Sequence, residues 1–167
     1  ELYVMPSVGG EAQRLTWLGS VARPVAWTPD SSKIIFTTNH RQPFPHIMLP
    51  YSISPNGGEF QPLPVGPAHN VAFGPNGGVV IGRNTTDPAR WKRYRGGTAG
   101  ELWIDPTGSG TFQKLLTLRS NYASPMWIGD RIYFVSDHEG YGNIYSCTTN
   151  GQNLTRHTDH DDFFARN

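Results

Sequence analysis

The stretch SPMWIGDRIYFVSD, residues 124–137, carries a complete β-hairpin signal and decides the fold. Its Gly-Asp pair lies between two apolar and aromatic runs, a pattern typical of a tight turn between antiparallel strands. Two related stretches occur upstream, RPVAWTPDSSKIIFTTN at 23–39 and HNVAFGPNGGVVIGRN at 69–84. The aromatic residues of the three stretches are Trp27, Phe73 and Trp127. They recur at intervals of roughly 45 to 55 residues, which is the period of β-propeller blades.

A second hairpin alternates with the first along the chain. Its four copies begin with ELYVMPSVGG at 1, HIMLPYSISPNGG at 46, ELWIDPTGSG at 101 and NIYSCTTNG at 143. Each copy has an apolar strand, a turn rich in residues that tolerate positive φ, and a second strand. Joining the two hairpins gives four strands per repeat, which is the composition of a propeller blade.

The repeat predicts an all-β fold, a partial β-propeller of four-stranded antiparallel blades. The inventory is about three complete blades with flanking part-blades. The complete blades are predicted at 20–66, 67–119 and 120–158, and the second of them carries a basic insertion at 83–100. Residues 1–19 are predicted to be the end of a preceding blade, and residues 159–167 the first strand of a following one. Because such blades are apolar on both faces, we expect the missing blades of a longer protein, or a second copy, to cover the end faces.

Composition narrows the classes of partner. The 167 residues carry a formal net charge of +1, which favours neither a nucleic acid nor an anionic lipid surface. No run approaches the roughly 18 apolar residues that span a bilayer, and the first residues lack a signal-peptide pattern. Cys147 is the only cysteine, which excludes an internal disulfide framework. A cytoplasmic location is expected, because single cysteines are typical of reducing compartments.

From about residue 70 onward, three stretches resemble the N-terminal propeller of the tricorn protease family. They are WKRYRGGT followed by LWID at 91–105, GDRIYF with SDHEG and GNIYS at 129–146, and RHTDH with DFFARN at 156–167. The resemblance implies a segment of a large intracellular serine peptidase that degrades peptides, with propellers as channels and with catalytic domains elsewhere in the longer chain. It therefore implies that the parent is a hydrolase while this segment holds no catalytic residue and needs no cofactor.

The insertion RNTTDPARWKRYRGGTAG, residues 83–100, is longer than a hairpin requires. Seven of its residues are candidates for steering peptides: Arg83, Arg90, Trp91, Lys92, Arg93, Tyr94 and Arg95. Guanidinium groups bind carboxylates bidentately, so a peptide C-terminus or an acidic side chain is a plausible ligand. Two other interpretations remain open. In the favoured one, the aromatics hold the loop on the blade by cation–π and apolar contacts while the charges face water or a neighbouring domain. In the other, the basic residues contact RNA or DNA.

Two further groupings are weighed and set aside. His157 and His160 with the aspartates at 159–162 have metal-ligand chemistry, but they lie where one blade connects to the next, so no metal is expected. Ser136, Asp137 and His138 are consecutive, and residues on a strand alternate faces, so we expect no catalytic triad. The turn SDHEGYGN is expected to expose His138 and Glu139 at its tip.

Two functional hypotheses follow. The leading one is a non-catalytic propeller segment of a tricorn-like peptidase, which acts as a scaffold and as a channel or filter for peptides. The alternative is a TolB-like propeller that acts as a protein-binding module. The WKRYRGGT insertion favours the first, whereas residues 1–69 match both equally. An enzyme with its active site in the propeller tunnel is disfavoured, since no acids or nucleophile converge in the sequence.

Overall fold

A computed structural model describes residues 1–85 and 92–166 of the chain. The chain divides into two compact units, Glu1–Ala68 and His69–Asn167. The strands of the first unit are β1 (Tyr3–Val4), β2 (Gln13–Arg14), β3 (Ala22–Trp27), β4 (Ile34–Thr38), β5 (Leu49–Ile53) and β6 (Gln61–Pro62). Those of the second are β7 (Asn70–Phe73), β8 (Val79–Arg83), β9 (Glu101–Asp105), β10 (Gln113–Lys114), β11 (Tyr122–Ile128), β12 (Arg131–Ser136), β13 (Asn143–Thr148) and β14 (Thr155–Arg156).

The first unit consists of one two-stranded hairpin, β1–β2, and one four-stranded antiparallel sheet in the order β3-β4-β5-β6. The sequence IIFTT makes β4 a central strand because β-branched and aromatic side chains pack well on both faces of a pleated sheet; all five of its residues are buried. The core of this unit joins the hairpin to the sheet through Leu2, Leu15, Ile34, Phe36 and Ile53.

The second unit consists of two four-stranded antiparallel sheets, β7-β8-β9-β10 and β11-β12-β13-β14. One apolar core lies between them. The first sheet and the residue after it contribute Val80, Leu102, Ile104 and Leu115, and the second sheet contributes Tyr122, Ile132, Phe134, Tyr145 and Cys147. Neither sheet could keep these side chains out of water alone, so their burial ties the two sheets into one unit.

The ring of Trp127 on β11 packs on the turn between β7 and β8. A Cβ atom added at Gly74 would lie 2.2 Å from Cδ2 of Trp127, and one added at Gly78 would lie 2.6 Å from its Cη2. Only glycine leaves room for the indole at these two positions, since real Cβ contacts are never that short. The aromatic residue that marks the repeat therefore connects one sheet to the turn of the sheet before it.

These sheets confirm the predicted fold class, all-β with four-stranded antiparallel blades. The sheets β3–β6, β7–β10 and β11–β14 span residues 22–62, 70–114 and 122–156. The exact blade boundaries stay predictions. Residues 159–166 form no strand in the structure, and a first strand of a further blade at 159–167 also stays a prediction.

Candidate functional site

Four connecting segments meet at one end of the second unit, and we call this region the insertion end. They are residues 92–100 before β9, residues 115–121 between β10 and β11, the β12–β13 turn at 137–142, and residues 159–166. Antiparallel order places the first three connections at the same end of their sheets, because every second connection returns to the same edge. The hydrogen bonds described below join these segments to one another.

The carboxylate of Asp137 is the centre of the insertion end, and its side chain is fully buried. Its Oδ1 accepts hydrogen bonds from Nη1 of Arg95 at 2.9 Å and from the backbone N–H of Asn121 at 2.8 Å. Its Oδ2 accepts one from the backbone N–H of Arg93 at 2.8 Å. Nη2 of Arg95 also donates to the Asp137 carbonyl at 3.0 Å. A buried carboxylate with this many donors is satisfied, so Asp137 fastens the insertion to the β11–β14 sheet.

The two cations that precede Arg95 lie on aromatic rings of the same region. Nζ of Lys92 is 5.2 Å from the ring centre of Phe164, and the guanidinium of Arg93 is 5.8 Å from that of Tyr141. Both distances are within the range of a cation–π interaction. Lys92 and Arg93 are nevertheless exposed, so their charges remain available to a ligand in solution.

Phe164 is buried against the β12–β13 turn. A Cβ atom at Gly142 would lie 2.9 Å from Cδ1 of Phe164, and the ring centroids of Tyr141 and Phe164 are 5.4 Å apart. The backbone N–H of Ala165 donates to the Gly142 carbonyl at 2.8 Å. Phe164 and Ala165 thus pack on the turn to which the insertion is also bonded, which stiffens the insertion end.

Arg83 has a separate environment on β8. Its guanidinium stacks on Trp103 at 4.7 Å from the ring centre, and Nζ of Lys114 approaches the same ring at 5.6 Å. Glu101 accepts hydrogen bonds from Lys114 at 2.6 Å and from Nε1 of Trp103 at 3.0 Å. Burial alone would raise the pKa of Glu101, but these bonds and the nearby cations outweigh it, and the pKa is lowered from its usual value.

The structure therefore brings together four of the seven predicted site residues and not the others. Lys92, Arg93, Tyr94 and Arg95 lie at the insertion end, and the Tyr94 carbonyl accepts from Nδ2 of Asn121 at 3.0 Å. Arg83 lies on the Trp103 face, and Arg90 and Trp91 fall outside the described residues. Sequence reasoning missed the role of Asp137. The available signal was an acid at the end of an apolar strand that follows a basic insertion.

Of the three consecutive residues set aside as a triad, Ser136 and His138 are in contact. The Oγ of Ser136, the last residue of β12, is 2.8 Å from Nδ1 of His138. Ser136 is fully buried, and its hydroxyl also contacts the Oγ of Ser120, so a substrate carbonyl has no access to it. His138 is half-buried against Tyr145 at 4.5 Å, not exposed as expected, whereas Glu139 is exposed.

The histidines of the 157–162 segment make structural contacts. Nε2 of His157 is 2.7 Å from the Oγ of Ser146, and the ring of His160 lies 4.0 Å from that of Phe163. The backbone N–H of His160 donates to Oδ1 of the buried Asn143 at 2.8 Å. In residues 1–85 and 92–166, no three His, Cys, Asp or Glu side chains converge as metal ligands would.

A cleft of about 210 Å³ lies beside the insertion, between residues 95–101 and the β10–β11 connection. Its charged lining residues are Arg95, Glu101, Lys114 and Arg119, and its apolar ones include Leu116 and Leu118. The phenol of Tyr122 donates to the Leu118 carbonyl at 3.1 Å and holds the connection in place. Burial raises the pKa of this phenol, so it stays a donor at all physiological pH values.

Comparison with known proteins gives consistent results. A family model described as the tricorn protease N-terminal beta propeller domain matches residues 1–167. Tricorn protease homolog 1 from Streptomyces coelicolor is 42% identical over 168 residues, covering 99% of this chain and 16% of that protein. A crystal structure of the tricorn protease matches with a TM-score of 0.87 at 36% identity, over 97% of this chain and 16% of that chain.

A TolB structure from Agrobacterium tumefaciens matches with a TM-score of 0.64 at 15% identity, over 90% of this chain and 50% of that chain. A likeness at this low identity shows the fold alone. In the part of the chain that the structure describes, no helix is long and apolar enough to cross a membrane.

Proposed function

The chain belongs to the tricorn protease N-terminal β-propeller family, and from this premise we propose that it is a non-catalytic propeller segment of a serine-type peptidase. In this role it acts as a scaffold and as a channel or filter for peptides. The observation that carries the proposal is the match of the whole chain to the propeller of a tricorn protease. The chain spans 16% of the length of that relative, so the peptidase activity itself is assigned to the longer protein.

The mechanism is physical selection at the insertion end. Lys92 and Arg93 are exposed cations on a loop that Asp137 holds in one position. Fixed surface cations raise the local concentration of anionic ligands and increase the rate at which they arrive. A narrow channel through the propeller ring would admit extended peptides and exclude folded proteins. Peptides with acidic residues are therefore the substrates that this segment would favour.

The proposed partners are the remaining blades and catalytic domains of the longer protein, together with peptides. Self-association through uncovered sheet faces is part of the proposal for the separate 167-residue chain, since exposed apolar surface drives such contacts. The proposed location is the cytoplasm. The alternative, a TolB-like protein-binding module, is supported only by the likeness of fold.

The proposal is tested by removing the two exposed cations in the longer protein. We expect the double variant Lys92→Gln, Arg93→Gln to lower kcat/KM for acidic peptides about two- to fivefold and to leave neutral peptides unchanged, because only steering is lost. At about 0.5 M salt the difference should disappear, since screening shortens the range of the field. Hydrolysis of matched acidic and neutral fluorogenic peptides measures this.

The matched control is the double variant Arg23→Gln, Lys33→Gln, which removes the same charge from exposed positions of the first unit. The separate 167-residue chain should hydrolyse none of these peptides. The proposal is wrong if that chain cleaves peptides at a rate near that of the longer protein. It is also wrong if both double variants change acidic-peptide hydrolysis equally.

A further inference from the structure

We propose that the cleft beside the insertion binds the carboxylate of an acidic peptide side chain, with Arg119 as the group that contacts it. This inference deepens the proposed function and rests on it, because it assumes that peptides reach the insertion end. Arg119 is not among the seven residues that the sequence singled out, and it lies outside the insertion, on the connection between β10 and β11.

The charges of the cleft favour an anion. Three cations line it, Arg95, Lys114 and Arg119, against one carboxylate, Glu101. Arg95 pairs with Asp137 at 2.9 Å and Lys114 with Glu101 at 2.6 Å. Among the described residues Arg119 forms no hydrogen bond or ion pair, so its guanidinium is the one lining cation that has no counter-charge. A guanidinium fork matches a carboxylate with two parallel hydrogen bonds.

The apolar part of the cleft favours a carboxylate that is attached to an aliphatic side chain. Leu116 and Leu118 line the cleft next to Arg119, and the hydrogen bond from Tyr122 to the Leu118 carbonyl fixes this wall. An aliphatic stem of one or two methylene groups would bury its surface there at about 0.8 kcal/mol per methylene in hydrocarbon transfer, whereas an inorganic anion has no such surface. At about 210 Å³ the cleft holds one side chain with its flanking backbone.

The opposite wall is held rigid by glycine packing. Gly100 is buried, and a Cβ atom there would lie 2.2 Å from the carbonyl oxygen of Tyr122. Its N–H donates to Oδ1 of Asn121, and the N–H of Tyr122 donates to its carbonyl, each at 3.4 Å. Because the walls are formed before a ligand arrives, little ordering opposes binding.

The test is titration of the 167-residue chain with capped tripeptides, followed by the amide NMR signals of residues around the cleft. Acetyl-Ala-Glu-Ala-amide should shift the signals of Gly100, Thr117 and Arg119 in a saturable way, and acetyl-Ala-Gln-Ala-amide should not. Arg119→Gln should weaken binding of the Glu peptide about tenfold, and Arg119→Lys by less, because the charge remains but the fork is lost. Arg23→Gln, an exposed arginine of the first unit, is the matched control.

Two further ligands distinguish the sources of the anion. Acetyl-Ala-Gln-Ala with a free C-terminus presents only an α-carboxylate, and inorganic phosphate presents an anion without a stem. Equal or tighter binding of either at Arg119 overturns the assignment to an acidic side chain, as does binding of the Glu peptide that is unchanged in Arg119→Gln. This readout is equilibrium binding, so it can succeed while the peptide-hydrolysis test of the proposed function fails, and the reverse also holds.

Discussion

The residue that follows the second strand of a sheet differs between the two units: Asn39 follows β4 in the first unit, and Asp137 follows β12 in the second. Both accept a hydrogen bond from the backbone where the first strand of their sheet begins. The N–H of Val21 donates to Oδ1 of Asn39 at 3.2 Å, and the N–H of Asn121 donates to Oδ1 of Asp137 at 2.8 Å. The shared bond connects the first strand to the second-strand turn in each sheet.

The two side chains differ in charge and in the partners that they bind. The amide of Asn39 also donates, and its Nδ2 bonds to the Pro45 carbonyl at 3.2 Å within its own loop. The carboxylate of Asp137 can only accept, and it takes Arg95 from the insertion, which lies 42 positions earlier in the chain. Asn39 thus holds a local turn, whereas Asp137 also attaches a loop from a distant part of the chain.

Replacement of these two residues should have the largest effect. Asp137→Ala should lower the free energy of unfolding of the second unit by about 3 to 5 kcal/mol, because Arg95 and several donors lose their buried acceptor. Asn39→Ala should cost the first unit only about 1 kcal/mol, the value of a neutral hydrogen bond. Amide hydrogen exchange, which reports each unit separately, measures both. Asp137→Asn tests charge alone, and equal losses for Asp137→Ala and Asn39→Ala would contradict the comparison.

Replacement of the two tryptophans of the repeat, Trp27 and Trp127, should have an intermediate effect on stability. Trp127 packs on Gly74 and Gly78, whereas Trp27 is 47% exposed. Trp127→Ala should therefore destabilise the second unit by about 3 kcal/mol, and Trp27→Ala should destabilise the first by less than about 1 kcal/mol. Denaturant unfolding followed by exchange of core amides provides the measurement. A loss at Trp27 as large as that at Trp127 would mean that the first unit buries its tryptophan in solution.

The smallest expected effect is a difference between the two units in how their stability depends on pH. Burial lowers the pKa of His138 below its usual value, although Glu139 and Asp137 oppose this shift, while Arg156 and Arg95 add to it. Neutral His138 is thus favoured by folding, and this contribution is complete above about pH 6.5 and is lost as the pH falls through the lowered pKa. In the first unit, backbone and side-chain hydrogen bonds lower the pKa of Glu1 from 4.5 to about 2.

The Glu1 contribution is therefore lost only between about pH 4.5 and pH 2, by the same linkage. Amide exchange at pH values from 7.5 to about 4 should show the second unit weakening first, and His138→Gln should remove that early loss. Parallel weakening of both units over the same pH range, or an unchanged profile in His138→Gln, would contradict the assignment.

Strand-forming segments were predictable because their signals are local. The run RIYFV lies in β12 and IIFTT forms β4, since apolar and β-branched residues between turn residues favour strands in any sheet. The same local reasoning treated residues 136–138 as part of a strand, whereas β12 ends at Ser136. The position of a strand end depends on pairing, and the pairing of Ser136 with Asn143 is the last in its ladder.

The sequence by itself determined the four-stranded repeat, its marker aromatics and the basic character of residues 83–100. Only the tertiary structure decided which cations are already neutralised. Arg95 is paired with a buried acid of the following sheet, whereas Arg119, on the β10–β11 connection, lines a cleft and has no ion-pair partner among the residues that the structure describes. The reason is that strand signals arise from neighbouring residues, while the free charge of a side chain depends on groups brought near it by folding from distant parts of the chain.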